Sequence, residues 1–284
     1  MSSKKYNNPL VSVIIPAYNA ENYVLESIHS ILNQTYQNFE CIIIDDASTD
    51  NTVHIITAIQ DARIILIKKP VNTGYTKSLN IGLQKANGIY VARMDADDFS
   101  YPERFSRQVA FMEEHTDYIM CSTGFSLFHN NHAIPTSNTF DLLKIELLFT
   151  NVVCHPSVMM RTSALRTFQL EYNAKYEPAE DYELWTRMIR YGKIITLPSV
   201  LVKYRLHEGQ VSSKRNKQQV RIANTIRKEY AAHLFRLFKG GWLTRLTPFW
   251  FAVVIFIESI ANSNLNTYLA FRKVIRKRHK IFSH

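Results

Sequence analysis

Ile89–Arg104, IYVARMDADDFSYPER, opens with an apolar run, Ile89 to Ala92, passes through Arg93 and Met94, and then places Asp95, Asp97 and Asp98 within four positions. Carboxylates this close repel one another, so they belong at a solvated turn where a positive charge can compensate them. Two readings stand at this point. Ser100 as N-cap, with Pro102 and Glu103 behind it, makes the segment an acidic turn before an ordinary helix. Alternatively, the acids hold a metal or a ligand.

The same unit of apolar run, polar end and helix recurs upstream. Val11 to Ile15 stops at Pro16, and a helical pattern follows from about Glu21 to Leu32, with Val24, Leu25, Ile28, Ile31 and Leu32 at helical spacing. Cys41 to Ile44 ends in Asp45 and Asp46, and Ser48, Thr49 and Asp50 offer N-caps for a helix through Ile59. Ile64 to Ile67 leads through Pro70 and the loop Asn72-Thr73-Gly74 into a helix from about Thr76 to Lys85, with Asn87-Gly88 as its stop. Four short apolar strands separated by helices imply an α/β fold, a mainly parallel sheet covered on both faces. Ligands of such sheets bind beyond the carboxyl ends of the strands. Pro16 to Asn19, Asp45-Asp46 and Asp95 to Asp98 all lie at those ends, so three polar clusters converge on one edge. The chain has neither GxGxxG after the first strand nor GxxxxGK[ST]. A nucleotide bound here must therefore be held by side chains and a cation.

Downstream, Phe105, Val109 and Met112 share a helix face before Glu114, and Tyr118 to Phe128 reads as a strand. His129 to His132 has HxxH spacing but sits in a polar turn, which favours a loop over a metal pair. Asp141 to Phe149 reads as a helix, Val152 to Met160 as an edge or bent strand broken at His155-Pro156, and Ile194–Leu197 with Val200–Arg205 as a last pair of strands. Glu180 and Asp181 open a helix whose inner face is Leu184, Trp185, Met188 and Ile189 and whose stop is Gly192. Carboxylates in a first turn offset the helix dipole; a catalytic base held on that rigid element is the alternative. The polar stretch His207 to Lys214 fits a solvated loop or an active-site lid.

With 46% hydrophobic and 20% charged residues, the 284-residue chain is a folded protein. Cys41, Cys121 and Cys154 form no CxxC pair, which argues against a zinc ribbon or a disulfide framework and suits a reducing cytosol. No apolar signal region follows Lys4 and Lys5. The net charge of +10 is uneven: residues 201–284 hold 17 Lys/Arg against 3 Asp/Glu. Val220 to Phe238 reads as a basic amphipathic helix. Leu246 to Ile257 is apolar for 12 positions, short of the roughly 20 that span a bilayer. Arg272, Lys273, Arg276, Lys277, Arg278 and Lys280 follow. This composition fits adhesion to anionic lipid, against a domain-packing or oligomer-forming tail.

The segments VSVIIPAYN, SILNQTYQNFECIIIDDASTDNT, NTGYTKSLNIGL, MDADDFSYPERF, HPSVMMR, AEDYELWTRM and YRLHEGQVS together resemble the family 2 glycosyltransferases, inverting enzymes that use nucleotide-sugar donors. The likeness covers about residues 9–215 in the family's order. It implies a GT-A, Rossmann-like domain over residues 1–215, with a nucleotide-binding half at about 9–100 and an acceptor half at about 101–215. Residues 216–284 remain as a helical basic C-terminal region. The resemblance implies that Tyr18 and Asp46 contact the base, that Pro16, Ala17 and Asn19 line its pocket, and that Lys77 offers a basic group. Asp95 and Asp97 correspond to the DxD motif, Asp97 as the direct ligand of Mn2+ or Mg2+, with Asp98 and Arg93 in support. Asp181 corresponds to the general base with Glu180 as the fallback, while Arg205 and His207 correspond to a diphosphate lid and His207 to a further metal ligand. The implied partners are a nucleotide sugar, with UDP as carrier, and a glycan or lipid-linked acceptor of bacterial surface polysaccharide synthesis. The basic tail, which lies outside the resemblance, adds an anionic membrane surface on the cytoplasmic side; nucleic acid is not among the partners, and oligomerisation stays open.

Chemistry asks for these residue types independently. Inverting transfer is an in-line displacement: a carboxylate takes the acceptor proton, and a cation offsets charge on the leaving diphosphate. A receiver domain leaves MDADD, the Glu180-Asp181 helix and YRLH without a task. A sugar nucleotidyltransferase lacks its glycine-rich loop here. An inactive glycan-binding or scaffold protein sits poorly with the intact Asp95, Asp97 and Asp181.

Overall fold

The computed structural model describes residues 8–128, 139–207 and 216–239. The HxxH turn, the polar stretch beyond His207 and the apolar and basic tail after Lys239 lie outside the described residues. Two compact units divide the chain, one of residues 1–147 and 151–223, the other of residues 148–150 and 224–284.

The first unit opens with strictly alternating elements: β1 (Val11–Ala17), α1 (Val24–Leu32), β2 (Phe39–Asp45), α2 (Thr52–Ala58), β3 (Ile64–Lys68), α3 (Tyr75–Lys85) and β4 (Tyr90–Arg93). Then come β5 (Phe99–Ser100), α4 (Arg104–Glu114), β6 (Tyr118–Leu127), α5 (Phe140–Glu146), β7 (Met159–Arg161), α6 (Thr162–Thr167), α7 (Glu180–Met188) and β8 (Lys193–Tyr204). α8 (Asn216–Lys239) gives its first turns to this unit and the remainder to the second, where Arg227 donates to the Phe149 carbonyl at 2.8 Å. One eight-stranded sheet has the order β3-β2-β1-β4-β7-β6-β8-β5. β1 to β4 are mutually parallel; β7 is antiparallel to β4 and β6, and β8 is parallel to β6 and antiparallel to β5. The mainly parallel sheet flanked by helices is the GT-A architecture.

Every residue of β1 is buried, as a strand covered on both faces requires. Val24, Ile28 and Ile31 of α1 and Phe105, Val109 and Met112 of α4 pack with it into one core. The chain reverses its direction of growth between β1 and β4, the place where open α/β sheets leave a crevice. Register brings the strand ends level: Ala17 pairs with Asp45, and Asp45 with Lys68.

Local details depart from the expectations. β7 lies inside the sheet, not at an edge, because His155–Ser157 forms a 3-10 turn ahead of it and Pro156 removes no ladder amide. The last two strands are one, β8, whose register against β6 skips Pro198 and Ser199 at a bulge opposite Gly124. Ser100 sits in β5, where its amide donates to Ser30 Oγ at 3.0 Å, and α4 starts later, after Glu103. Gly88 is not a helix cap: α3 is capped at Ala86, and a Cβ on Gly88 would stand 2.6 Å from the Ser12 nitrogen.

Candidate active site

The ends of β1, β2 and β3 form the first cluster. The amide of Asp46 donates to the Ala17 carbonyl at 2.8 Å, which prolongs the β1–β2 pairing and brings the loops after both strands together. Asn19 adopts a left-handed conformation, φ +48°, held by its Oδ1 accepting from the Thr49 amide at 2.8 Å. Tyr18 is left half exposed beside this turn, at 51%. Asp46 is buried and paired with Lys69, Nζ to Oδ1 2.5 Å, and the same oxygen accepts from the Thr73 amide at 2.9 Å. Lys69 also donates to Ser78 Oγ at 2.9 Å. The sequence pointed to Lys77 for the basic group here. Lys77 is exposed on α3, and Lys69 is the lysine in the cluster. Only the β2–β3 register shows that the residue after β3 reaches Asp46.

The second cluster is the acid turn after β4. Buried Arg93 forks onto Asp95, Nη1 to Oδ2 2.6 Å and Nη2 to Oδ1, and Tyr75 Oη donates to Asp95 Oδ1 at 3.3 Å. Ser27 of α1 donates to the Asp95 carbonyl at 2.7 Å, which ties the turn to the first helix. Asp97 Oδ2 lies 2.8 Å from His207 Nε2. Arg205 spends its amide on Asp98 Oδ1 and its Nε on the Asp97 carbonyl, both at 2.8 Å, and pairs with Glu26 of α1. Its guanidinium lies 3.7 Å from the Phe128 ring centroid. Arg104, fully buried in α4, donates to the Arg93 carbonyl at 2.6 Å and fixes the start of the turn from below. Burial pulls its pKa down to about 9.

One carboxylate oxygen from each of Asp95, Asp97 and Asp98 lies within 4.8 Å of the others. Asp98 Oδ2 is buried and has no hydrogen-bond partner. Burial, reinforced by the neighbouring acids, raises the pKa of Asp97 and raises that of Asp98 well above its ordinary value. Crowded oxygen donors with one orphaned, buried oxygen suit a hard divalent cation such as Mg2+ or Mn2+.

The third cluster opens α7. Asp181 accepts from Asn151 Nδ2 and from the Tyr182 amide, both at 2.7 Å. Burial raises its pKa, and these two donors oppose the rise. Glu180 is buried, its Oε2 has no partner, and burial together with the Asp181 charge pushes its pKa up to about 8. Between this pair and the acid turn stand His155 and Tyr75. His155 Nε2 lies 2.8 Å from Tyr172 Oη, and its ring meets Trp185 of α7 edge-on at 5.7 Å and Tyr75 at 6.3 Å. Burial keeps this imidazole neutral. Asn80 clamps the Tyr172 backbone, donating to its carbonyl at 2.8 Å and accepting from its amide at 2.9 Å. Tyr75, Asn80 and Tyr172 drew no attention in the sequence, because a tyrosine or asparagine carries no signal until its partner is known.

A mainly parallel sheet with acids gathered beyond a central strand, a polar cluster at the β1–β2 ends and a second acid pair at the start of a helix places the molecule among the GT-A glycosyltransferases. Its family can be stated directly: residues 12–176 match Glycosyl transferase family 2, and the chain belongs to that family. An uncharacterized glycosyltransferase of Haemophilus influenzae is 40% identical over 238 residues, 78% of this chain and 73% of that one. The Escherichia coli UDP-Glc:alpha-D-GlcNAc-diphosphoundecaprenol beta-1,3-glucosyltransferase WfaP is 34% identical over 77% of this chain and 86% of its own length. Among solved structures, the mannosyltransferase PcManGT of Pyrobaculum calidifontis, in complex with GDP-Man and Mn2+, superposes with a TM-score of 0.65 over 90% of this chain and 70% of that one. At 18% identity that likeness concerns the fold.

Proposed function

We propose that the protein is an inverting, metal-dependent glycosyltransferase that moves a sugar from a UDP-sugar to a hydroxyl of a lipid-linked or glycan acceptor in bacterial surface polysaccharide synthesis. The observation that carries this reading is the arrangement of two carboxylate clusters about Tyr75, whose hydroxyl bonds Asp95 and whose ring abuts His155, itself packed on Trp185 of α7. Relatives of known specificity lend the substrate class: the E. coli relative is named for a UDP-glucose donor and a diphosphoundecaprenol-linked acceptor.

In this reading Tyr18 stacks on the base, Asp46 accepts from a ring N–H, and Pro16, Ala17 and Asn19 line the pocket wall. Asp95, Asp97 and Asp98 hold Mn2+ or Mg2+, and His207 orients Asp97 or joins the ligands. When bound, the cation supplies positive charge against the diphosphate oxygens. Arg93 aims Asp95, and Arg205 holds the turn from the β8 side.

Asp181 takes the acceptor proton. Its two hydrogen-bond donors favour the carboxylate form, whereas Glu180, with an unpaired oxygen and a pKa of about 8, stays protonated at neutral pH. Burial raises both acids, and the donors to Asp181 oppose the rise there, so of the pair Asp181 acts as the base and Glu180 as the hydrogen-bond donor. Glu180 then offers a proton to a hydroxyl oxygen of acceptor or donor sugar.

The test is a screen of nucleotide sugars for Mn2+-dependent thermal stabilisation and transfer to diphosphoprenyl-linked acceptors. Stabilisation by a UDP-sugar with turnover is expected; stabilisation without turnover on any acceptor indicates the inactive glycan-binding alternative. No helix among the described residues is long and apolar enough to cross a membrane. Peripheral attachment on the cytoplasmic face through the basic tail is part of the proposal. Deleting residues 240–284 is expected to release the protein from vesicles rich in anionic lipid; unchanged sedimentation with them refutes the attachment.

A further inference from the structure

The loop that enters α3 touches the first two clusters and, within the same four residues, the segment that leads into the third. The Thr73 amide donates to Asp46 at 2.9 Å, Tyr75 Oη donates to Asp95 at 3.3 Å, and Thr76 Oγ1 donates to Glu177 Oε2 at 2.7 Å. Glu177 lies three residues before Glu180 and belongs to no cluster described above. It is distant in sequence from Thr76, with 101 positions between the partners.

We propose that Thr76 and Glu177 form a positioning pair that sets Glu180 and Asp181 at the height of the acid turn. This inference rests on the assignment of Asp181 as base. The carboxylate of Glu177 stands at the amino end of α3, an 11-residue helix, where the helix dipole and the free first-turn amides favour a negative charge. Gly74 lies beside the carboxylate: its φ is +96°, and a Cβ there would meet the two Glu177 oxygens at ordinary contact distances of 3.7 Å and 4.0 Å. A side chain at position 74 is therefore resisted by the backbone conformation.

The backbone behind Glu177 is held as well. Its amide donates to the Ala174 carbonyl at 3.3 Å, and the Ala179 amide donates to the Tyr176 carbonyl at 2.6 Å. From the first turns of α8, Gln219 donates to the Pro178 carbonyl at 3.0 Å and Gln218 to the Glu177 carbonyl at 3.4 Å. Residues 177–179 are thus pinned on one side by α3 and on the other by α8, and the helix carrying Asp181 begins from that pinned point. The loop that contacts Asp46 and Asp95 is the same one that receives Glu177. The Asp46 contact, the acid turn and the segment leading into the acid pair accordingly meet on one piece of backbone, and the Thr76–Glu177 contact is the side-chain link from that loop to the start of α7.

Thr76 gives the cleanest test, since Val matches its shape and Ser keeps its hydroxyl. Thr76→Val is expected to lower kcat at least tenfold while the donor KM stays within twofold of wild type, and Thr76→Ser is expected to stay within twofold on both. Equal losses in the two variants, no loss in either, or a change confined to KM would overturn the proposal. Amide hydrogen exchange supplies a readout that does not depend on turnover. Residues 177–184 should exchange faster in Thr76→Val than in Thr76→Ser or wild type, with residues 95–98 unchanged. If wild type transfers no sugar from any donor, the glycosyltransferase reading fails while the exchange experiment still decides the contact; unaltered exchange in Thr76→Val removes the positioning pair.

Discussion

The acid turn and the acid pair of α7 are both carboxylate clusters, and they are built on opposite principles. In the turn, Asp95 has the Arg93 guanidinium and Asp97 has the His207 ring, while Asp98 has the Arg205 backbone amide and one oxygen without a partner, so an ionic partner is present for part of the charge and an open oxygen for a cation. At α7, the bonds to Asp181 come from an amide side chain and a backbone N–H, neither of which carries a formal charge. The first cluster is suited to keep charge in place for a cation; the second is suited to keep a proton in play. In the proposed function a divalent ion goes with the former and proton transfer with the latter.

Breaking the proton side should have the largest effect. Asp181→Asn is expected to lower kcat by about 10²–10⁴-fold, the usual worth of a general base, with donor affinity unchanged by calorimetry. Near-normal turnover in this variant would move the base elsewhere. Breaking the charge side should act on binding instead: Asp97→Ala is expected to bring donor affinity in Mn2+ down to the wild-type value in EDTA. A variant that still responds to Mn2+ would place the ion on other ligands.

A subtler contrast lies in pH. The pKa of Glu180 is about 8 in the folded protein against 4.5 as its ordinary value, so the folded state keeps a proton that the unfolded state releases. Its contribution to stability is therefore greatest below about pH 4.5 and declines as pH rises towards 8. Glu180→Gln carries no charge at any pH. Its unfolding free energy should gain on wild type between pH 5 and pH 8.5, by on the order of a few kcal/mol, read by denaturant unfolding at each pH. A gap that stays constant over that range means Glu180 is ionised in the folded protein and the contrast with the acid turn is lost.

Much of the first half was readable because its information is local. Val11–Ile15, Cys41–Ile44 and Ile64–Ile67 are apolar runs stopped by polar or proline residues, and α1 and α3 show their spacing without reference to anything distant. The acid turn could be placed at a strand end, and Glu180 and Asp181 at a helix start, for the same reason. What escaped was set by pairing over long separations. β5 is only two residues long and pairs with β8 about a hundred positions later, and β7 is a three-residue strand inserted centrally. Neither is long enough to show a period of two. Lys69 could not be preferred over Lys77, because both are lysines near a strand or helix end and only register distinguishes them. The contact of Thr76 with Glu177 leaves no trace in either segment alone.

The clamp on the acid turn also has a history in the making of the chain. Arg205 and His207 reach Asp98 and Asp97 from 107 and 110 positions downstream. During synthesis the three acids leave the ribosome while β8 is still unmade, and the turn waits without its clamp until residues beyond 200 emerge. Contacts of such separation form slowly and late. A polypeptide truncated before β8 would accordingly carry the three acids without the contacts from Arg205 and His207 that hold them.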